Sequence, residues 1–174
     1  MSVGDALGGL VHPGQVLLRG VVLLGSAAAV LAAKPVGTVP TWVEVGVGLL
    51  ALVAVARPGS MAGLALLLLV GELWLTQDAG SAGSPWLLVA VAGVVITHLG
   101  LLVAAQGPAS VAPDARQLVV WTGRGAALWA AAAVVWAGAR LLADTPAPST
   151  VVVAALGLLL AATVGTGRWV SRRS

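Results

Sequence analysis

The chain contains no cysteine, tyrosine or phenylalanine, and only 9% of its 174 residues are charged. The absence of cysteine excludes disulfides, thiolate catalysis, cysteine-ligated zinc sites and iron–sulfur clusters. A water-soluble domain carries about a quarter charged residues. This chain is instead 59% hydrophobic, with a mean hydropathy of +1.04. A fold of this size cannot bury the apolar surface that such a composition gives. The composition therefore predicts an all-α integral membrane protein.

Enzyme and nucleic-acid signatures are also missing. The basic residues are scattered along the chain, whereas a nucleic-acid footprint needs lysine and arginine clustered on one face. The sequence has no His-Glu-x-x-His zinc pattern, no phosphate-binding glycine loop and no Gly-x-Ser-x-Gly elbow. We therefore expect no enzyme, no cofactor, no metal site and no nucleic-acid partner; the expected partner is the lipid bilayer.

Six apolar segments approach the length of about 20 residues that a spanning helix needs. They predict a polytopic bundle of about six transmembrane helices, forming a single domain over residues 1–174 without an extramembrane domain. Ser60 is expected to cap the third span, and Pro85 to lie in the first turn of the fourth. The predicted spans are 15–33, 41–56, 60–76, 85–105, 118–142 and 150–170.

The second and third spans are short, at about 26 Å each for a rise of 1.5 Å per residue. A re-entrant hairpin is the alternative to two crossings. It would leave Arg57 near mid-bilayer, at a cost of about 2.5–3.5 kcal/mol. Two full crossings place Arg57 among the headgroups at little cost, so six crossings are expected.

The distribution of basic residues predicts the orientation of the bundle. With six crossings, all basic residues except Lys34 and Arg140 fall on the side of the two termini. Basic residues accumulate on the cytoplasmic side of membrane proteins, so both termini are expected to be cytoplasmic. The residues on the predicted cytoplasmic side are Arg19, Arg57, Arg116, Arg124, Arg168, Arg172 and Arg173.

Small residues at four-residue spacing predict close helix packing, because membrane helices associate through backbone approach rather than hydrophobic burial. The pattern favours packing of the first, fifth and sixth spans against one another, or packing between two copies of the chain. The residues are Ala28 and Ala32 in the first span, Gly123, Gly125, Ala126, Ala130, Ala133 and Ala137 in the fifth, and Gly157, Ala161 and Gly165 in the sixth.

Three ionisable residues lie inside predicted spans, where such residues are functional hypotheses by default. Glu44 and Glu72 occupy mirrored sequence contexts in the second and third spans, and His98 lies in the fourth. No basic residue is expected at the level of the two carboxylates, so at least one should be protonated. The three residues predict either a proton or cation site, or polar contacts that fix helix packing.

Several short stretches resemble small uncharacterised multi-pass integral membrane proteins of actinobacteria. The resemblance covers residues 15–142 and rests on Ala56-Arg57-Pro58-Gly59-Ser60, Leu73-Trp74-Leu75, Ser84-Pro85-Trp86, and the His98 segment that ends at Gln106-Gly107-Pro108. It implies a bacterial plasma-membrane protein, and it carries over no activity and no site residue.

Two functions remain open at this point. The first is a non-enzymatic accessory or scaffold subunit that acts through helix–helix contacts, as a homo-oligomer or with another membrane protein. The alternative is a small-solute or cation- or proton-linked transporter that uses Glu44, Glu72 and His98. A wet cavity lined by these residues would favour transport, whereas lipid-facing or capped side chains favour the scaffold.

Overall fold

The structure is a computed structural model that describes residues 12–77 and 83–142. Within these two stretches the chain forms helices and no strand. The all-α class is therefore confirmed, while the predicted span 150–170 lies outside the described residues. The helices are α1 (Pro13–Leu31), α2 (Thr41–Ala56), α3 (Ala62–Leu75), α4 (Trp86–Ala105) and α5 (Ala115–Leu142).

Three of these helices, α1, α4 and α5, are long and apolar enough to cross a membrane. This supports a membrane-embedded protein, but it corrects the expectation of six helices of spanning length. α2 and α3 have 16 and 14 residues. At 1.5 Å per residue they are about 24 and 21 Å long, which is less than the hydrocarbon thickness of about 30 Å.

The turn between α2 and α3 explains the shortness of α3. The backbone N–H of Ser60 donates to the carbonyl oxygen of Arg57 at 2.9 Å, so Ser60 belongs to the turn. Met61 is the N-cap residue and makes no side-chain capping bond, so the prediction that Ser60 caps this helix is wrong. Pro85 is the N-cap residue of α4, one position before the predicted first turn.

The N-terminal end of α1 forms hydrogen bonds with the loop between α4 and α5. His12 caps α1, since its Nδ1 accepts a hydrogen bond from the backbone N–H of Gly14 at 3.0 Å. The backbone N–H of His12 donates to the carbonyl oxygen of Ala109 at 2.8 Å. Gln15, which is 2% exposed, donates from Nε2 to the carbonyl oxygen of Val111 at 3.4 Å.

α1 and α4 cross antiparallel at a pair of glycines. A Cβ atom at Gly93 would lie 2.5 Å from the carbonyl oxygen of Gly25 and 2.9 Å from the backbone nitrogen of Ala29. Seven residues farther along α4, a Cβ atom at Gly100 would lie 2.5 Å from a methyl carbon of Val22. The two backbones are therefore in contact, a separation that only glycine permits at these positions.

A hydrophobic core joins α1 to the antiparallel hairpin of α2 and α3. Its central residue is Leu66 of α3, which is fully buried. Across the hairpin, the position of Gly46 on α2 faces the side chain of Leu69 on α3. The buried residues of this core are Ala29, Val30, Ala33, Val43, Val47, Ala51, Leu66, Val70 and Leu73.

The indole of Trp74 links α3 to the end of α1. Its Nε1 donates to the carbonyl oxygen of Ala29 at 3.1 Å. The backbone N–H of Ala33, the usual helical partner of that carbonyl, donates instead to Val30 at 3.0 Å. The last four carbonyls of a helix lack a hydrogen-bond donor within the helix and need one from elsewhere. Trp74 is such a donor, for the carbonyl of Ala29.

The α2–α3 turn lies near the end of α4 rather than beside its centre. A Cβ atom at Gly63, the second residue of α3, would lie 3.0 Å from Cδ1 of Leu101. Leu101 falls within the last turn and a half of α4, which ends at Ala105. Arg57 is exposed in the turn that precedes Gly63.

The chain divides into two compact units after Trp136, so Ala137 and the residues that follow it belong to the second unit. The packing described above is that of the first unit. Every contact and site described below also lies among residues up to Trp136.

Candidate functional site

Glu44 forms an ion pair that the sequence analysis did not anticipate. Its Oε1 lies 2.7 Å from Nζ of Lys34, with the two side chains 35% and 50% exposed. The pair forms because Lys34 follows α1 and Glu44 lies in the first turn of α2, so the short connection brings them together. The expectation that no basic residue lies at the level of Glu44 is therefore wrong.

Glu72 and His98 do not join this pair. The hairpin register that places Gly46 against Leu69 also puts Glu44 and Glu72 near the same level, on neighbouring helices. The side chain of Glu72 is nevertheless exposed on α3, and that of His98 is exposed on α4. The structure thus places the three predicted site residues on three separate helices, with Glu44 engaged by Lys34.

The most enclosed polar contact between helices is one that the sequence analysis did not assign. Ser26 of α1 and Thr97 of α4 are 3% and 1% exposed, and their hydroxyl oxygens lie 3.2 Å apart. The hydroxyl of Ser26 also lies 2.8 Å from the carbonyl oxygen of Val22, to which it donates. Hydroxyl pairs of this kind stabilise membrane helix contacts by about 0.6 kcal/mol on average.

A sequence signal for this contact was available. Gly93, Thr97 and Gly100 on α4 are spaced by four and three residues, and Gly25 and Ala29 on α1 are four residues apart. This is the small-residue pattern of close membrane-helix packing. In the first span the expected small residues were Ala28 and Ala32, of which Ala32 is buried and Ala28 only partly buried.

α5 is attached to the other helices along one face only. Gly125 is the one buried residue between positions 115 and 141 of α5, and a Cβ atom there would lie 2.8 Å from Cδ1 of Leu99 on α4. One turn farther along α5, Nε1 of Trp129 donates to the carbonyl oxygen of Leu88 at 2.9 Å. Trp129 therefore bridges α4 and α5 near the middle of α5.

An apolar groove of about 330 Å³ lies between α1, α4 and α5. Its walls include Leu18 of α1, Leu99 of α4, and Trp121 and Trp129 of α5. Thr122 contributes a hydroxyl to the lining, and none of Glu44, Glu72 and His98 is part of it. The groove thus has the chemistry of a site for a hydrocarbon chain and not that of an ion site.

Arg124 stacks on a wall of the groove, and the side chain of Arg19 is partly enclosed by its surroundings. The guanidinium carbon of Arg124 lies 4.8 Å from the centroid of the Trp121 ring, a cation–π contact on a wall of the groove. Nε of Arg19 is enclosed without a hydrogen-bond partner. Among the described residues, no group of three or more histidine, aspartate or glutamate side chains is placed to hold a metal ion.

No family model, no curated protein and no solved structure matches this chain.

Proposed function

We propose that the chain is a non-enzymatic accessory or scaffold subunit of a bacterial plasma membrane, acting through helix–helix contacts of α5. The observation that carries the proposal is the outward face of α5, opposite Gly125. Val119 and Val134 on this face are each 72% exposed. Between them, Gly123 and Ala127 are exposed, and nothing lies within 4 Å of a Cβ atom at Gly123.

These four residues, which we call the outward face, share one side of the helix because they are spaced by four, four and seven positions. A glycine and an alanine four residues apart let a second helix approach closely, and flanking valines add rigid packing surface. Lipid solvates such a face about as well as it solvates leucine. The outward face is therefore suited to close packing against another protein helix. That helix belongs to a second copy of the chain or to a different membrane protein.

The placement of the polar residues favours this role over transport. Glu44 is engaged by Lys34, while Glu72 and His98 are exposed on separate helices. Transport sites are commonly built from broken helices at the midplane. α1 to α4 run without interruption, and every proline in the described stretches lies at a helix end or in a connection.

Oxidative cross-linking tests the proposed contact, because the chain contains no cysteine of its own. We expect Ala127→Cys on the outward face to form disulfide-linked dimers in native membranes several-fold more than Leu128→Cys. Leu128 is a matched control, since it is 53% exposed and lies one position along but about 100° around α5. A photoactivatable group at Ala127 captures a different partner if self-association is absent. Equal cross-linking at the two positions, or none to any protein, would refute the proposal.

We propose further that α2 and α3 also cross the bilayer, so that both termini lie in the cytoplasm. The level of the α2–α3 turn near the end of α4 supports the crossing, and the asymmetry of basic residues supports the orientation. Short helices are accommodated by local thinning of the bilayer, at fractions of a kcal/mol per Å.

Labelling with a membrane-impermeant maleimide tests this topology at two serines. We expect Ser84→Cys, between α3 and α4, to be labelled in intact cells. Ser60→Cys, in the α2–α3 turn, should be labelled only after permeabilisation. A re-entrant hairpin predicts that Ser60→Cys stays unlabelled in both conditions, and the inverted orientation exchanges the two results.

A further inference from the structure

We propose that the groove between α1, α4 and α5 binds one acyl chain of an anionic phospholipid, whose headgroup is held by Arg124. The lipid comes from the leaflet at the N-terminal end of α5. The site is distinct from the outward face, because it lies on the opposite side of the same helix.

The dimensions of the groove select a single hydrocarbon chain. The lining residues Leu118 and Trp129 mark its two ends along α5. They are separated by about 16 Å at 1.5 Å per residue, which matches half of a hydrocarbon core of about 30 Å. The groove holds about 330 Å³ over that length, so it is long and narrow. This elongated shape and the apolar lining fit one unbranched hydrocarbon chain.

The charge beside the groove selects an anionic headgroup. Arg124 reaches back one turn towards the N-terminal end of α5, where its guanidinium covers the ring of Trp121 at 4.8 Å. Trp121 itself lines the groove, so the cation sits beside the chain-binding surface. An exposed guanidinium is a bidentate donor to phosphate oxygens. Thr122, also in the lining, adds a hydroxyl, a group able to donate a hydrogen bond to a lipid ester.

The depth of Arg124 supports the same assignment. Arg124 follows the first residue of α5, Ala115, by nine positions, which is about 14 Å along the axis. The side chain of an arginine this far into an apolar helix extends toward the membrane–water interface. Lipid phosphate is the anionic group that it meets there. The stack on Trp121 fixes the direction in which it reaches.

Photo-cross-linking of the full chain in vesicles tests the proposal. Phosphatidylglycerol carrying a diazirine in one acyl chain is compared with phosphatidylcholine carrying the same chain, and the labelled peptides are mapped. We expect several-fold more labelling from phosphatidylglycerol, concentrated on residues 92–103 and 118–129. Arg124→Gln should make the two lipids equivalent while leaving the labelled positions unchanged.

Two neighbouring alanines of α5 give matched variants. Ala126 lines the groove and Ala127 lies on the outward face, and both are exposed. Ala126→Phe should fill the groove and remove most of the labelling, whereas Ala127→Phe should retain it. Equal labelling by the two lipids, full labelling of Ala126→Phe, or a protein segment cross-linked in the groove would overturn the proposal. Failure of the α5 contact between proteins would appear instead as equal disulfide cross-linking of Ala127→Cys and Leu128→Cys, a measurement that does not depend on lipid labelling in the groove.

Discussion

Gly93→Leu is expected to separate α1 from α4 and to lower the free energy of unfolding by about 3 kcal/mol or more. The new Cβ atom would lie 2.5 Å from the carbonyl oxygen of Gly25 and 2.9 Å from the backbone nitrogen of Ala29. Both obstacles are backbone atoms, so no rotation of a side chain relieves the overlap. The helices must move apart, and the contact between Ser26 and Thr97 is lost with them.

Reversible unfolding in mixed detergent micelles measures this effect, with Gly48→Leu as the control. Gly48 is exposed on α2, and nothing lies within 4 Å of a Cβ atom there. The control should be neutral or slightly stabilising, because leucine is a better helix former than glycine. A Ser26→Cys/Thr97→Cys pair should form a disulfide in the parent and fail to form it with Gly93→Leu. Retention of both stability and disulfide would contradict the crossing.

Leu66→Ala is expected to have the second largest effect, about 1–3 kcal/mol of unfolding free energy. Leu66 is fully buried between α1, α2 and α3, so its removal leaves a cavity in the core. In soluble proteins this substitution costs about 2–5 kcal/mol. The cost is smaller here, because a leucine released from the core remains in hydrocarbon and only its packing contacts are lost.

Leu68→Ala is the matched control for this core substitution, since Leu68 lies on the same helix and is 64% exposed. Lipid fills the space that the smaller side chain leaves, so the change should stay within about 0.5 kcal/mol. Thermal unfolding of the two variants in the same detergent separates the contributions. An equal decrease in unfolding free energy for the two variants would mean that lipid or detergent surrounds α3 on all sides. That result would contradict the burial of Leu66 in a core.

The helices themselves could be predicted closely from the sequence. The predicted span 41–56 coincides with α2, and Ala105 ends α4 as expected. These bounds follow from Pro40, Arg57 and the Gln106-Gly107-Pro108 break, which act locally on the backbone. α3 was predicted too long, because Ser60 resembles an N-cap in sequence but is used by the preceding turn.

The packing and the polar contacts were harder to predict. In lipid both faces of a helix are apolar, so hydrophobic periodicity does not mark the inner face as it does in water. Gly25 and Gly93 lie in contact at the crossing of α1 and α4, whereas Gly123 and Ala130 of the expected small-residue pattern are exposed. The pairing of Glu44 with Lys34 was missed because it depends on how the connection between α1 and α2 folds back.

The crossing of α1 with α4 imposes an order on biosynthesis. Ser26 and Thr97 are separated by 71 residues, so at about 5–20 residues per second α1 waits roughly 4–14 s for its partner to be made. The α2–α3 hairpin forms within that interval because its turn is short. Until α4 is made, the surface of α1 around Gly25 contacts lipid or a helix of another protein. The native packing of α1 is therefore complete only after α4 has been synthesised. A ribosome that stalls before Gly93 leaves α1 able to pair with the wrong helix.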